Sequence, residues 1–290
     1  MTLKSRIALA IAATMLWPLA ASAADYDPPI VIDEAPEYVP VEVGSGWYLR
    51  GDVGYSINKP YEFFDGPTGF ISSQNPLSGS IGAGYHVTDY LRAELNFGIL
   101  PTSKFSNDYL TVCGGTETTT VTDDITGSVV SQNSAAGTRP CAGSDYGKNK
   151  AYSLMANAYV DLGTYVGFTP YIGGGLGVAY STYSAIAGER NCQNGTSSSN
   201  GGGQTTTVDF NCNAVGGYGG VRVAEREYNL AYSVGAGFAY RVSQNASVDV
   251  GYEYFAIPDA KYAAFESGGV SIKKGIDYHQ VKVGLRYDLW

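Results

Sequence analysis

The sequence predicts an all-β protein, an eight-stranded antiparallel up-and-down barrel that crosses a membrane. Three observations carry this reading. From Tyr278 to Trp290 the residues alternate one by one, with Val281, Val283, Leu285, Tyr287 and Leu289 on one face and Gln280, Lys282, Gly284, Arg286 and Asp288 on the other. Seven earlier segments alternate in the same way, and the connections between them are short and long in turn. After the first residues, no stretch approaches the ~18 consecutive apolar residues of a membrane helix. A chain that crosses lipid without such a helix must do so as a closed barrel, because only helices and closed barrels satisfy every backbone group there.

The segments fall in order along the chain. Trp47 to Ile57 sets Trp47, Leu49, Val53, Tyr55 and Ile57 against Tyr48, Arg50, Asp52 and Ser56. Leu77 to Val87 sets Leu77, Ile81, Ala83 and Tyr85 against serines, glycines and His86. Tyr90 to Ile99 sets Leu91, Leu95, Phe97 and Ile99 against Arg92, Glu94 and Asn96. Ala151 to Leu162, Thr169 to Tyr180, Leu230 to Val242 and Ala246 to Phe255 follow, and the terminal strand makes eight. Each alternates with the period of two that puts successive side chains on opposite faces.

Three connections are short: Thr88 to Asp89, Gly163 to Phe168 and Ser243 to Asn245. The other four, Asn58 to Pro76, Leu100 to Lys150, Ser181 to Asn229 and Ala256 to Ile276, are long and rich in Ser, Thr, Gly and Asn. That sorting predicts periplasmic turns at one end and four long extracellular loops at the other. A soluble lipocalin-like barrel would show the same alternation with its apolar face inside. The sorted loops and the amino-terminal segment favour the membrane version.

Lys4 and Arg6 precede an apolar run that ends in small residues at Ala21 to Ala24, the pattern of a secretory signal over residues 1–24. Residues 25–45 read as an acidic, Pro-rich periplasmic leader, and residues 46–290 as the barrel. Removing the signal deletes two cations and no acid, so the formal charge moves from -9 to -9 - 2 = -11. An acidic chain without a basic run argues against nucleic acid as a partner. The 38 glycines and 24 tyrosines suit strands and membrane interfaces better than helices.

Inward faces collect Arg50, Arg92, Arg241, Lys282 and Arg286 with Asp52, Glu94, Asp161, Asp249, Glu253 and Asp288. These read as an interior charge network, paired because buried charges must be paired. An eight-stranded barrel is just wide enough for its side chains to fill it. His86 and His279 lie at opposite ends and form no shared site. Neither a catalytic grouping nor a metal or cofactor motif is visible, so the expectation is a non-enzymatic protein with no cofactor. Gly173, Gly174, Gly175 and Gly177 precede no helix, and read as thinning of the wall beside bulky interior side chains.

Cys113 and Cys141 share the second long connection, and Cys192 and Cys212 the third. They are consistent with disulfides in an oxidising compartment. Three pairings are possible, and pairing within each connection closes the shorter rings.

The run Gly46, Trp47, Tyr48, Leu49, Arg50, Gly51, Asp52, Val53, Gly54 and Tyr55, together with the terminal strand, resembles the porin-family or opacity-like surface proteins of alphaproteobacteria, barrels of the OmpA and OmpX type. The resemblance covers Gly46 to Trp290. It implies a bacterial outer-membrane location, insertion by the barrel-assembly machinery, contact with membrane lipid and lipopolysaccharide, and roles in envelope integrity or contact with a surface ligand. A narrow porin-like diffusion channel is the alternative. It also implies an assembly signal in the last strand, which Lys282, Gly284, Tyr287 and Leu289 match, with Trp290 one residue beyond the usual end.

Overall fold

The computed structural model describes residues 46–63, 69–212 and 217–289. The signal segment, the acidic leader and Trp290 lie outside the described residues. Among these there are twelve strands and no helix long and apolar enough to cross a membrane.

Eight strands close a ring. They are β1 (Trp47–Ser56), β3 (Leu77–His86), β4 (Leu91–Ile99), β6 (Val129–Asp161), β7 (Phe168–Asn191), β10 (Gly219–Arg241), β11 (Ala246–Glu266) and β12 (Gly269–Asp288). Each pairs antiparallel with its neighbour in the chain-order circuit, β4 with β6 among them. The circuit shuts where β12 pairs with β1, from Tyr48 opposite Asp288 to Ser56 opposite Gln280. No edge is left in the ring, which is the condition for a sheet to cross lipid.

The predicted faces follow from this register. Leu49, Val53, Ile81, Leu95, Leu154, Ile172, Leu176, Val234, Val283 and Leu285 are all at least half exposed, an arrangement that suits lipid rather than water. Aromatic residues mark both margins of this band. Phe168 meets Tyr240 and Phe238 near the short turns, and Tyr152, Tyr180 and Tyr228 form a ring-to-ring row at the far margin. On β10 the span from Tyr240 to Tyr228 is 240 - 228 = 12 residues. At ~3.4 Å per residue and a tilt of ~40° that is roughly 30 Å of height, close to the apolar band of an outer-membrane barrel.

The long connections differ from the sequence expectation, since they are mostly strand. The second is the hairpin of β5 (Thr102–Asp123) with the upper part of β6, paired from Ser103 opposite Asn149 to Thr122 opposite Val129. Strand β5 continues β4 along β6 with one extra residue at Leu100 and Pro101, so the faces swap there: odd residues point outward up to Ile99 and inward from Ser103. The third comprises the extensions of β7 and β10 and a hairpin of β8 (Gly195–Gly201) with β9 (Gln204–Asn211), and β9 pairs with β5. In the first, β2 (Phe70–Asn75) pairs with β5. Ser, Thr and Gly made these stretches look like loops. Threonine in fact suits strands, and backbone pairing is indifferent to side-chain polarity.

The fourth connection is the upper half of the β11–β12 hairpin. Above Ala256, β11 no longer pairs with β10, and above Gln280 β12 no longer pairs with β1. Freed on both sides, the hairpin passes a register shift between Ile257 and Lys261 and buries Ala260, Tyr262, Ala263, Ala264 and Phe265.

Candidate functional site

The bore is filled by the inward rows. Arg92 on β4 holds Asp161 on β6 with two hydrogen bonds of 2.8 Å, from Nε and Nη2. Glu94 lies 3.3 Å from Nη1 of Arg50 and 3.6 Å from Nη1 of Arg92, and accepts a 2.7 Å hydrogen bond from the Tyr48 hydroxyl. Arg50 closes the chain by donating to Asp52 at 2.9 Å. The guanidinium of Arg92 sits over the Tyr159 and Tyr171 rings, and that of Arg286 over Tyr48. Arg286 approaches Asp249 at 3.8 Å, and Lys282 approaches Glu253 at 3.3 Å. Alternating charge in a water-poor bore has this arrangement because each isolated charge would cost several kcal/mol there.

Of the eleven charges assigned to the network by sequence, Arg241 does not join it. It occupies the inward register opposite Ser247, but as the last residue of β10 it is exposed at the rim, where water solvates it. Asp288, also near the rim, meets His86 Nε2 at 3.3 Å, and His86 packs against Tyr48.

The glycine row of β7 makes room for this filling. A Cβ on Gly173 would stand 2.3 Å from the Tyr159 ring, and one on Gly175 1.8 Å from Asn157 Oδ1. Two cavities of ≈ 30 and ≈ 20 Å³ lie in the bore beside Asn157, Ser233, Glu253 and Lys282. Each is large enough for a water or two.

Above the charges lies an apolar cap that the sequence reading missed. Tyr61, Leu100, Phe255, Ile257, Tyr262, Ile276 and Tyr278 form one buried cluster, continued by Phe105, Tyr183, Ala263 and Phe265. Phe265 stacks on Phe70 at 4.6 Å between ring centroids, and Phe63 meets Phe105 at 5.3 Å. The Tyr61 hydroxyl donates to the Pro101 carbonyl at 3.1 Å and pairs with the Tyr278 hydroxyl at 3.0 Å. All four long connections contribute residues. The signal was present in the sequence as aromatic and alanine residues within otherwise polar stretches, Tyr61 to Phe63 and Ala260 to Phe265.

Beyond the cap, the β5, β6, β7, β8, β9 and β10 extensions stand as a strand tower. Disulfides join Cys113 to Cys141 across β5 and β6, and Cys192 to Cys212 across the β8–β9 hairpin. Outside the membrane band, Lys261 bridges to Glu225 at 3.1 Å and Glu227 at 2.7 Å, and Lys273 to Glu266 at 2.7 Å and to Glu62. Hydrogen bonding from the lysines holds the Glu225 and Glu266 carboxyls below the ordinary carboxylate range, and the carboxylates raise both lysines.

His279 lies on the outer face at the long-loop end, 2.5 Å from the Tyr252 hydroxyl through Nδ1 and 3.6 Å from Asp277 through Nε2. No group of three or more His, Cys, Asp or Glu residues suited to a metal occurs among the described residues.

A closed ring of antiparallel strands with an apolar outside, aromatic margins and a polar bore defines a transmembrane β-barrel. The chain belongs to the outer membrane protein beta-barrel domain family, which it matches over residues 9–288, and the protein is located in the bacterial outer membrane. An uncharacterized protein of Brucella abortus (strain 2308) is 26% identical over 302 residues, covering 93% of each chain. A protein of Rickettsia bellii (strain RML369-C), described as a candidate adhesin, is 23% identical over 248 residues, covering 84% of this chain and 88% of its own. Among solved structures, Neisserial surface protein A is similar with a TM-score of 0.40 at 16% identity, covering 84% of this chain and 98% of that one.

Proposed function

We propose that the protein is a closed structural barrel that anchors in the outer membrane and presents a rigid strand tower for contact at the cell surface. The observation that carries this reading is the double seal of the bore, a paired charge network below and an aromatic cap above. A bore filled in two chemically different layers supports anchorage rather than transport. The two disulfides and the long cross-strand pairing support display, because restrained segments lose less entropy when a partner binds. The candidate-adhesin description of the Rickettsia relative is in keeping with surface contact.

An epitope inserted at Gly127, in the turn of the β5–β6 hairpin, should be bound by antibody on intact cells. Detection only after permeabilisation would reverse the orientation and remove the surface-contact reading. Planar-bilayer recordings of the purified barrel should stay silent. Steady conductance would replace the closed barrel with the diffusion channel.

A further inference from the structure

On the outer face, immediately above the tyrosine margin, two cross-strand rows running over β5, β6, β7 and β10 carry only cations and hydroxyls as polar groups. Lys104 stands directly opposite Lys148, and Lys148 opposite Ser184. In the next row down, Lys150 faces Thr182, and Thr182 faces Arg226. One row further down is the aromatic row Tyr152, Tyr180 and Tyr228.

Two lysines placed directly opposite each other on one sheet face repel. Among the described residues no acid relieves that repulsion, because none of Lys104, Lys148, Lys150 or Arg226 takes part in an ion pair there. The hairpin of β11 and β12 shows the contrast. Lys261 also stands opposite Lys274, yet Lys261 has Glu225 and Glu227, and Lys274 has Asp259 at 2.8 Å. Glu225 and Glu227 alternate with Arg226 on β10 and so belong to the opposite face. In a chain of net charge -9, four uncompensated cations gathered on one face are not a by-product of composition.

Position selects the anion. The patch lies at the height where an apolar, tyrosine-rimmed wall gives way to water, which is where lipid phosphates sit. We propose that Lys104, Lys148, Lys150 and Arg226, with the Thr182 and Ser184 hydroxyls between them, bind the phosphates of lipopolysaccharide, the phosphorylated lipid of the leaflet at the long-loop end. The lysines act as point charges and Arg226 supplies a planar fork suited to phosphate oxygens. The acyl chains lie against Leu154, Val178 and Leu230 below the tyrosines. Lipid held in this way also explains how opposed lysines are tolerated in a wall whose other strand lysines, Lys261, Lys273, Lys274 and Lys282, are paired. The choice of lipid rests on the long-loop end facing the cell surface, as proposed above.

The test places the full barrel in nanodiscs of a zwitterionic phospholipid doped with bisphosphorylated lipid A, and counts retained lipid A by native mass spectrometry. Wild type should retain it. The K104Q/K148Q/K150Q/R226Q variant should bind it roughly a hundredfold more weakly, on the scale of several cations each contributing severalfold at a membrane surface. Lys274→Gln, which removes a paired lysine, should match wild type, and heat-modifiable gel mobility reports that each variant is folded. Should the quadruple variant fail to fold, K148Q/R226Q serves, with a smaller but measurable loss. Equal retention by variant and wild type would overturn the proposal, as would equal retention of dephosphorylated lipid A or full displacement by inorganic phosphate. Preference for phosphatidylglycerol over lipid A would assign the patch to the phospholipid leaflet and overturn it too. The lipid count does not depend on antibody access at Gly127, so the surface-contact reading can fail separately.

Discussion

Asn149 holds Ala263 by both ends of its side-chain amide: Nδ2 donates to the Ala263 carbonyl and the Ala263 N–H donates to Oδ1, each at 2.8 Å. The amide stands in for a strand partner at the point where the β11–β12 hairpin has left the wall. This side chain ties the hairpin to β6, where the aromatic cap packs over the bore.

Asn149→Ala should therefore loosen the cap before the barrel. Two buried backbone groups lose their partners, at a cost of ~1–3 kcal/mol each. Hydrogen exchange at Ala263 and its neighbours should accelerate while the ring strands keep their protection. Unchanged exchange at Ala263 would show that the apolar packing alone secures the hairpin.

Removing one member of the charge network should cost more than removing a matched pair. Arg92→Met strands the buried Asp161 and removes one of the two cations beside Glu94, which keeps Arg50, and should destabilise the barrel by ~3–5 kcal/mol in urea unfolding. Adding Asp161→Leu should recover a large part of that loss. If the single variant unfolds at the wild-type urea concentration, the network is not structural.

Leu95 and Asn96 test the faces of the wall. Leu95 is 56% exposed on the outside and Asn96 7% exposed in the bore. Leu95→Arg near the bilayer centre should cost ~2–4 kcal/mol. Comparable unfolding of Leu95→Arg and Leu95→Ala in lipid vesicles would mean that this face does not meet lipid.

Acid should release the cap hairpin before alkali does. Glu225 and Glu266 titrate below their ordinary value of 4.5 in the folded chain, so the stability they contribute is present above that value. It is lost as the pH falls through their lowered values. Lys261 and Lys273 are raised above 10.5, so their contribution is present below that pH and fades only as the pH rises through the raised values. Proteolysis of the β11–β12 hairpin should speed up between pH 5 and pH 3 and stay flat from pH 6 to pH 9. Lys261→Met with Lys273→Met should abolish the acid step.

Reduction should affect the tower and spare the ring. The Cys113–Cys141 bridge has a sequence separation of 28 residues and lies wholly beyond the cap. The loop-entropy ceiling for such a ring is ~3–4 kcal/mol. After reduction, protease should cut within β5 and β6 while gel mobility continues to show a folded barrel.

The membrane-spanning half was legible in the sequence because its physics is local. A strand between lipid and a polar bore must alternate residue by residue, so Leu49 beside Arg50 and Leu95 beside Asn96 state their faces without reference to any other strand. Arg241 keeps the inward register that alternation gives it, and its distance from the rim decides that water reaches it.

The tower and the cap were not legible, because both depend on partners distant in the chain. Nothing in the composition of Thr116 to Val121 says that it will lie between Ser131 to Ala136 on one side and Thr206 to Asn211 on the other. Phe63, Phe70, Phe105 and Phe265 are scattered over three connections, and their contact exists only once the ring brings those connections to one mouth.

The sequence by itself determined a closed ring of eight strands, its lipid-facing side and its charged interior, since each follows from a period of two and the cost of an unpaired backbone in lipid. Tertiary structure alone decided that the bore is capped, that the polar connections stand up as a sheet, and that Lys104, Lys148, Lys150 and Arg226 meet on one face. Those features arise from cross-strand register, and register is a relation between strands that no single strand encodes.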